Sequence, residues 1–63
     1  MKLLNKKELR AKVSLSIQTI TRLEKAGNFP QRVKLPPDFI RVAWVEKEVD
    51  DWLYLTVQQS RAS

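Results

Sequence analysis

SLSIQTITRLEKAGNFPQRVKL, residues 14–35, decides the fold. Ser16 is a good N-cap, with a side-chain oxygen able to accept from an amide in the first turn. From there Ile17, Ile20 and Leu23 recur every three residues, which at about 100° per residue draws one apolar flank of a helix. Gly27 suits the position after a helix end, where φ turns positive, and Asn28 follows it in the turn. Pro30 stops any continuation. Arg32-Val33-Lys34-Leu35 then alternates polar and apolar side chains, the period of a half-buried strand.

The flanking sequence fits around this segment. Asn5-Lys6-Lys7-Glu8 has the form of a capping box, so a short helix is expected over about residues 6–12. Leu9 and Val13 would point inward, and Val13-Ser14-Leu15 makes a tight connection. Downstream, Phe39-Ile40-Arg41-Val42-Ala43-Trp44 is a second β-rich run, and Pro36-Pro37-Asp38 reads as the hairpin tip between the two strands. A last helix starts near Glu46. Val45, Val49, Trp52, Leu53 and Thr56 share one side of it, and Lys47, Asp50, Asp51 and Tyr54 the other. Residues 58–63 carry no apolar anchor and are expected to fray. The order is helix, turn, helix, hairpin, helix: an α+β domain over residues 1–57 with a short tail. Trp44, Trp52 and Phe29 are expected to be packing residues.

With 63 residues the chain makes one domain. Cysteine and histidine are absent, which excludes a disulfide framework and removes the commonest general base and zinc ligand. The acidic cluster of Glu46, Glu48, Asp50 and Asp51 is better explained by the first turn of a helix than by catalysis. With no glycine-rich loop either, the chain reads as a non-enzyme without metal or cofactor. No apolar run is long enough to span a bilayer, so a soluble intracellular protein is expected. The net charge of +5 is uneven: residues 1–41 set ten Lys/Arg against Glu8, Glu24 and Asp38, whereas residues 42–63 carry an acidic excess. A basic front suits a polyanion; the plainer alternative is charge for solubility.

Gln18, Arg22 and Lys25 fall within about 60° of one another on the second helix, opposite its apolar flank, with Thr19 and Thr21 beside them. Glutamine can pair bidentately with adenine, arginine with guanine, and a lysine at the helix end suits a phosphate. A second helix after a tight turn is the one that a helix-turn-helix protein lays in the major groove. Arg32, Lys34 and Arg41 put cations on the hairpin, where they can act as a wing along the backbone or simply guard an edge strand. Lys6 and Lys7 are candidate phosphate contacts on the first helix.

Leu15-Ser16, Thr19-Ile20, Arg22-Leu23, Gly27-Asn28-Phe29-Pro30, Val33-Lys34-Leu35, Trp44 and Val49-Asp50-Asp51-Trp52-Leu53 occur in an order and spacing that resembles the AlpA-like small regulators of prophages and genomic islands. These are grouped with excisionase and MerR-type winged-helix proteins. The resemblance covers about residues 3–55. It implies a winged helix-turn-helix, with Ser16 joining Gln18, Thr19, Arg22 and Lys25 as candidate DNA contacts. Two features depart from the family. The wing tip is Pro36-Pro37-Asp38-Phe39 where glycine and basic residues are usual, and Val13-Ser14 stands where a glycine is common.

The function implied is a sequence-specific, double-stranded-DNA-binding transcriptional regulator of a prophage or genomic island, in the bacterial cytoplasm and on the nucleoid when bound. It would activate an integrase gene or act as an excisionase. Its further partners would be an integrase or other copies on repeated sites, with no membrane and no small-molecule substrate. The alternative is a protein-interaction module working through the acidic last helix, with the wing tip serving a protein.

Overall fold

The computed structural model describes residues 1–62. It has three helices and a three-stranded antiparallel sheet: β1 (Leu3–Leu4), α1 (Lys6–Val13), α2 (Ile17–Lys25), β2 (Val33–Lys34), β3 (Val42–Val45) and α3 (Glu46–Ala62). This small α+β fold has the layout of a winged helix-turn-helix, as expected.

Local chemistry sets the helix ends. At α1 the Asn5 side chain accepts from the Glu8 amide at 2.8 Å, and the Asn5 amide donates to the Glu8 carboxylate at 3.0 Å, completing the capping box. At the end of α2 the Asn28 amide donates to the Leu23 carbonyl and the Gly27 amide to the Glu24 carbonyl, with Gly27 at φ 77°. That is the Schellman arrangement, and it needs the residue without a Cβ. The α1–α2 turn uses a different device. Ser14 closes α1 in the left-handed region, at φ 58° and ψ 34°. A side chain there costs roughly 1–2 kcal/mol.

The wing is shorter than its sequence. Val33 pairs with Ala43 and Lys34 with Val42, and the Leu35 amide extends the ladder to the Arg41 carbonyl at 2.9 Å. Phe39 and Ile40 were expected in the second strand but lie in the turn. Phe39 takes φ 58°, its amide donates to the Leu35 carbonyl, and Asp38 Oδ1 accepts from the Ile40 amide. This Asx turn leaves no extended backbone until Val42. Both residues of β2 are exposed, so its alternation marks an edge strand rather than a half-buried one.

β1 was not expected. Leu3 pairs with Val45 and Leu4 with Trp44, making the order β1-β3-β2 with β3 central. Trp44, fully excluded from solvent, therefore sits at the middle of the sheet. It packs with Leu4, Leu9, Val13, Ile20, Phe29 and Val49, drawing all three helices onto one core. Phe29 meets Trp52 edge-on at 4.7 Å between centroids, and Trp52 Nε1 donates to the Asn28 carbonyl at 2.6 Å. The α2 turn is thus fixed to α3, and all three rings are packing residues.

α3 runs directly on from β3 and continues to Ala62. Residues 58–62, where fraying is expected, are helical and exposed; Ser63 lies outside the described residues. Near its start, Lys12 of α1 bridges Asp50 at 2.7 Å and Glu46 at 3.5 Å. Its hydrogen bond to Asp50 chiefly, with the charges of Asp50 and Glu46, holds the ammonium above its ordinary 10.5 against a smaller desolvation effect.

Two predictions follow from these joints. Ser14→Gly should raise stability by about 0.5–1 kcal/mol, since relief of the left-handed conformation exceeds the added chain entropy, whereas Ser14→Val should lower it; thermal melts compare the two. For Lys12, the raised folded-state value means that its contribution is fully present below pH 10.5 and is lost as the pH rises through the folded value. The stability gap between wild type and Lys12→Met should therefore be constant from neutral pH up to about pH 10 and close above it. A gap unchanged at higher pH contradicts the ion pair.

Candidate nucleic-acid interface

α2 presents two unlike sides because its sequence alternates them within each turn. Ile20 is fully buried and Ile17 and Leu23 half-buried, while Gln18, Arg22 and Lys25 are exposed with no ion pair among the described residues. Ser16 and Thr19 are tied together at the helix start. Thr19 donates its amide to Ser16 Oγ at 3.2 Å, and Ser16 Oγ donates to Thr19 Oγ1 at 3.0 Å. Ser16 thus caps the helix and fixes the Thr19 hydroxyl, which leaves Gln18, Arg22 and Lys25 as the reaching groups of this face.

The neighbouring cations come from three elements. Lys7 and Arg10 of α1 border a depression with Ser14 and Ser16, in front of the start of α2. Lys6 and Lys7 border a second groove with Arg41 of the wing, and Lys7 faces both. Thr21 and Lys25 border a third, with Glu24, Gln31 and Arg32. Lys34 stands apart on the exposed edge strand. Arg10 belongs to the same basic first helix and lines the first depression beside Lys7. It stands three residues after Lys7, about one helical turn on.

Arg32 has a different place from the one expected of a wing contact. Its Nη2 lies 2.6 Å from Glu24 Oε1 and its Nε 3.1 Å from Glu24 Oε2, a bidentate pair, and its own amide donates to Glu24 Oε2 at 3.2 Å. The guanidinium also lies 5.2 Å from the centroid of the Trp44 ring. Glu24 is only 8% exposed, the one buried charged residue among those described. The Gln31 side-chain amide reaches the Glu24 carbonyl at 3.4 Å. Arg32 is therefore committed to neutralising Glu24. Its guanidinium is held above its ordinary value by the hydrogen bond with Glu24. Together the two side chains clamp the last turn of α2 to the segment entering β2.

Ion pairing sorts the remaining charges. Lys2, Lys12, Arg32 and Lys47 are paired with acids. Among the described residues Lys6, Lys7, Arg10, Arg22, Lys25, Lys34, Arg41 and Arg61 make no ion pair. All but Arg61 lie on α1, α2 or the wing. Four of the seven acids, Glu46, Glu48, Asp50 and Asp51, lie on the first two turns of α3. No group of His, Cys, Asp or Glu among the described residues could hold a metal, and none of the helices is long and apolar enough to cross a membrane.

Residues 2–57 match the family described as prophage CP4-57 regulatory protein (AlpA). The chain belongs to the AlpA family of prophage regulators. It matches no curated protein. The AlpA match takes in every residue of α1, α2 and the wing named above, and ends at Val57, within α3.

The clamp makes a specific demand. Glu24→Gln leaves Arg32 half-buried without its countercharge and should cost about 1–3 kcal/mol. Arg32→Ala strands the carboxylate and should cost more than Arg32→Lys, which keeps the charge but loses the fork. Urea titrations of the three variants test this order, and three equal losses would contradict a bidentate clamp.

Proposed function

We propose that this AlpA-family regulator binds double-stranded DNA in a sequence-specific way, with α2 in the major groove. Gln18 and Arg22 read base edges, and Thr19 and Thr21 contribute at their sides. Lys25 meets a phosphate at the helix end, and the hydroxyl of Ser16 faces the backbone at the helix start. Lys6, Lys7 and Arg10 of α1, with Lys34 and Arg41 of the wing, place cations along the phosphates. The observation that carries this reading is the sorting of charge. Cations without partners are gathered on the helix-turn-helix and wing, while those elsewhere, Arg61 apart, are neutralised. A solvated face kept only for solubility has no reason to be so one-sided.

On this reading Arg32 is a positioning residue. It holds α2 and the wing at a fixed angle, so that both meet one duplex. The protein acts in the bacterial cytoplasm on a prophage or genomic island, where it activates an integrase gene or serves as an excisionase. A footprint upstream of the integrase gene supports the first role, and one on the attachment site the second. A single module of this kind buries only about 600–1,000 Å² on DNA, so tight occupancy needs further copies or a recombinase beside it. A second reading, a protein-binding module, draws on the exposed Tyr54 and Leu55 beside the acids of α3.

Titration against duplex DNA at several salt concentrations tests the proposal. Arg22→Ala should cost about 1–3 kcal/mol and relax the preference at one base pair. Lys25→Ala should weaken all sequences alike and lower the log–log salt slope by about 1. Arg32→Lys should leave that slope unchanged, since its cation is held by Glu24. Affinity indifferent to salt overturns DNA binding and favours the protein module.

A further inference from the structure

The outer half of α3 has chemistry but nothing to apply it to. The helix is 17 residues long, and every described residue from Tyr54 onward is exposed. Yet Tyr54 and Val57, 65% and 42% exposed, are large apolar side chains. They are joined on the same stripe by Asp50 and Arg61. The four residues are spaced by four, three and four along the chain, which places them within about 60° on the helix wheel. This is the spacing of a seam between two helices. Leu55 lies about 100° further round, toward Trp52 and the Phe29 turn.

The charges on the stripe choose the occupant. The acid is at one end and the cation at the other. Asp50 and Arg61 are equidistant from the midpoint between Leu55 and Thr56, and so are Tyr54 and Val57. Turned end to end on a second copy, the stripe matches itself: Asp50 meets Arg61, Tyr54 meets Val57, and each contact occurs twice. A parallel pair would oppose like charges. Asp50 Oδ1 is taken by Lys12, but the side chain is half exposed and its other oxygen is available. Arg61 makes no ion pair among the described residues. A two-fold axis requires such self-complementarity.

We propose that α3 is a self-association surface, on which two copies pair antiparallel through Asp50, Tyr54, Val57 and Arg61. The contact is small, well under the roughly 1,200 Å² of stable complexes. It is weak in free solution and acts when copies are held side by side on a duplex, where effective concentration is high. It does not depend on the DNA reading, and its test uses no DNA.

Sedimentation of the full chain up to about 1 mM, where weak pairs become visible, should show a monomer–dimer equilibrium. Asp50→Arg and Arg61→Asp should each weaken it at least about tenfold, by setting like charges opposite each other. An equimolar mixture of the two should restore it, because the mixed pair regains both opposite-charge contacts. Circular dichroism checks each fold. Should Asp50→Arg unfold through loss of the Lys12 bridge, Tyr54→Ser takes its place and should abolish pairing. A wild type that stays monomeric to 1 mM overturns the proposal. So does a mixture no better associated than its parts, or pairing that survives both Arg61→Asp and Tyr54→Ser.

Discussion

A buried carboxylate has to be neutralised where it lies, and in this protein Glu24 imposes that requirement on everything around it. It sits on the last turn of α2 with almost no access to water. An unpaired charge in such a place would cost several kcal/mol. Arg32 answers it with two guanidinium bonds and a backbone amide. The chain leaving the Gly27 turn must therefore come back past the end of α2 before β2 can begin. Trp44, under the guanidinium, is the floor on which the pair rests. The angle between the outer face of α2 and the wing is thus set by an ion pair beside the core.

The same logic explains why the surface is divided. Acids are used where two elements must be joined: Glu24 to the wing segment, Asp50 and Glu46 to α1 through Lys12. Lys6, Lys7 and Arg10 of α1, Arg22 and Lys25 of α2, and Lys34 and Arg41 of the wing have no such task. On the proposed function they meet the phosphates of a duplex. A small domain with a limited core gains twice from this arrangement, since the acidic side reinforces the fold and the basic side stays available.

Much of this was legible in the sequence, for local reasons. Asn5 with Glu8, the N-cap Ser16, and Gly27 with Asn28 are signals whose cause lies within a few residues, and the helix ends fall where they indicate. The parts that were not legible depend on distant partners. Leu3-Leu4 is too short to read as a strand and becomes one only by pairing with Val45 and Trp44, some forty residues on. Glu24 looks like any charged residue on a helix, and only the folded chain brings Arg32 to it. Arg32 itself sits at a polar position of an alternating strand, the same pattern that marks Lys34. Phe39 and Ile40 have strong strand character, yet Asp38 and the left-handed Phe39 keep them in the turn.

The central claim is that the outer side of α2, held at its angle by Glu24 and Arg32, is the surface that meets DNA. The most direct measurement is an amide chemical-shift titration of the labelled protein with a duplex carrying its site. The account predicts that the largest changes fall on residues 16–25, with smaller ones on α1 and at Arg41. Changes confined to α3, with Gln18, Arg22 and Lys25 unmoved, would contradict it.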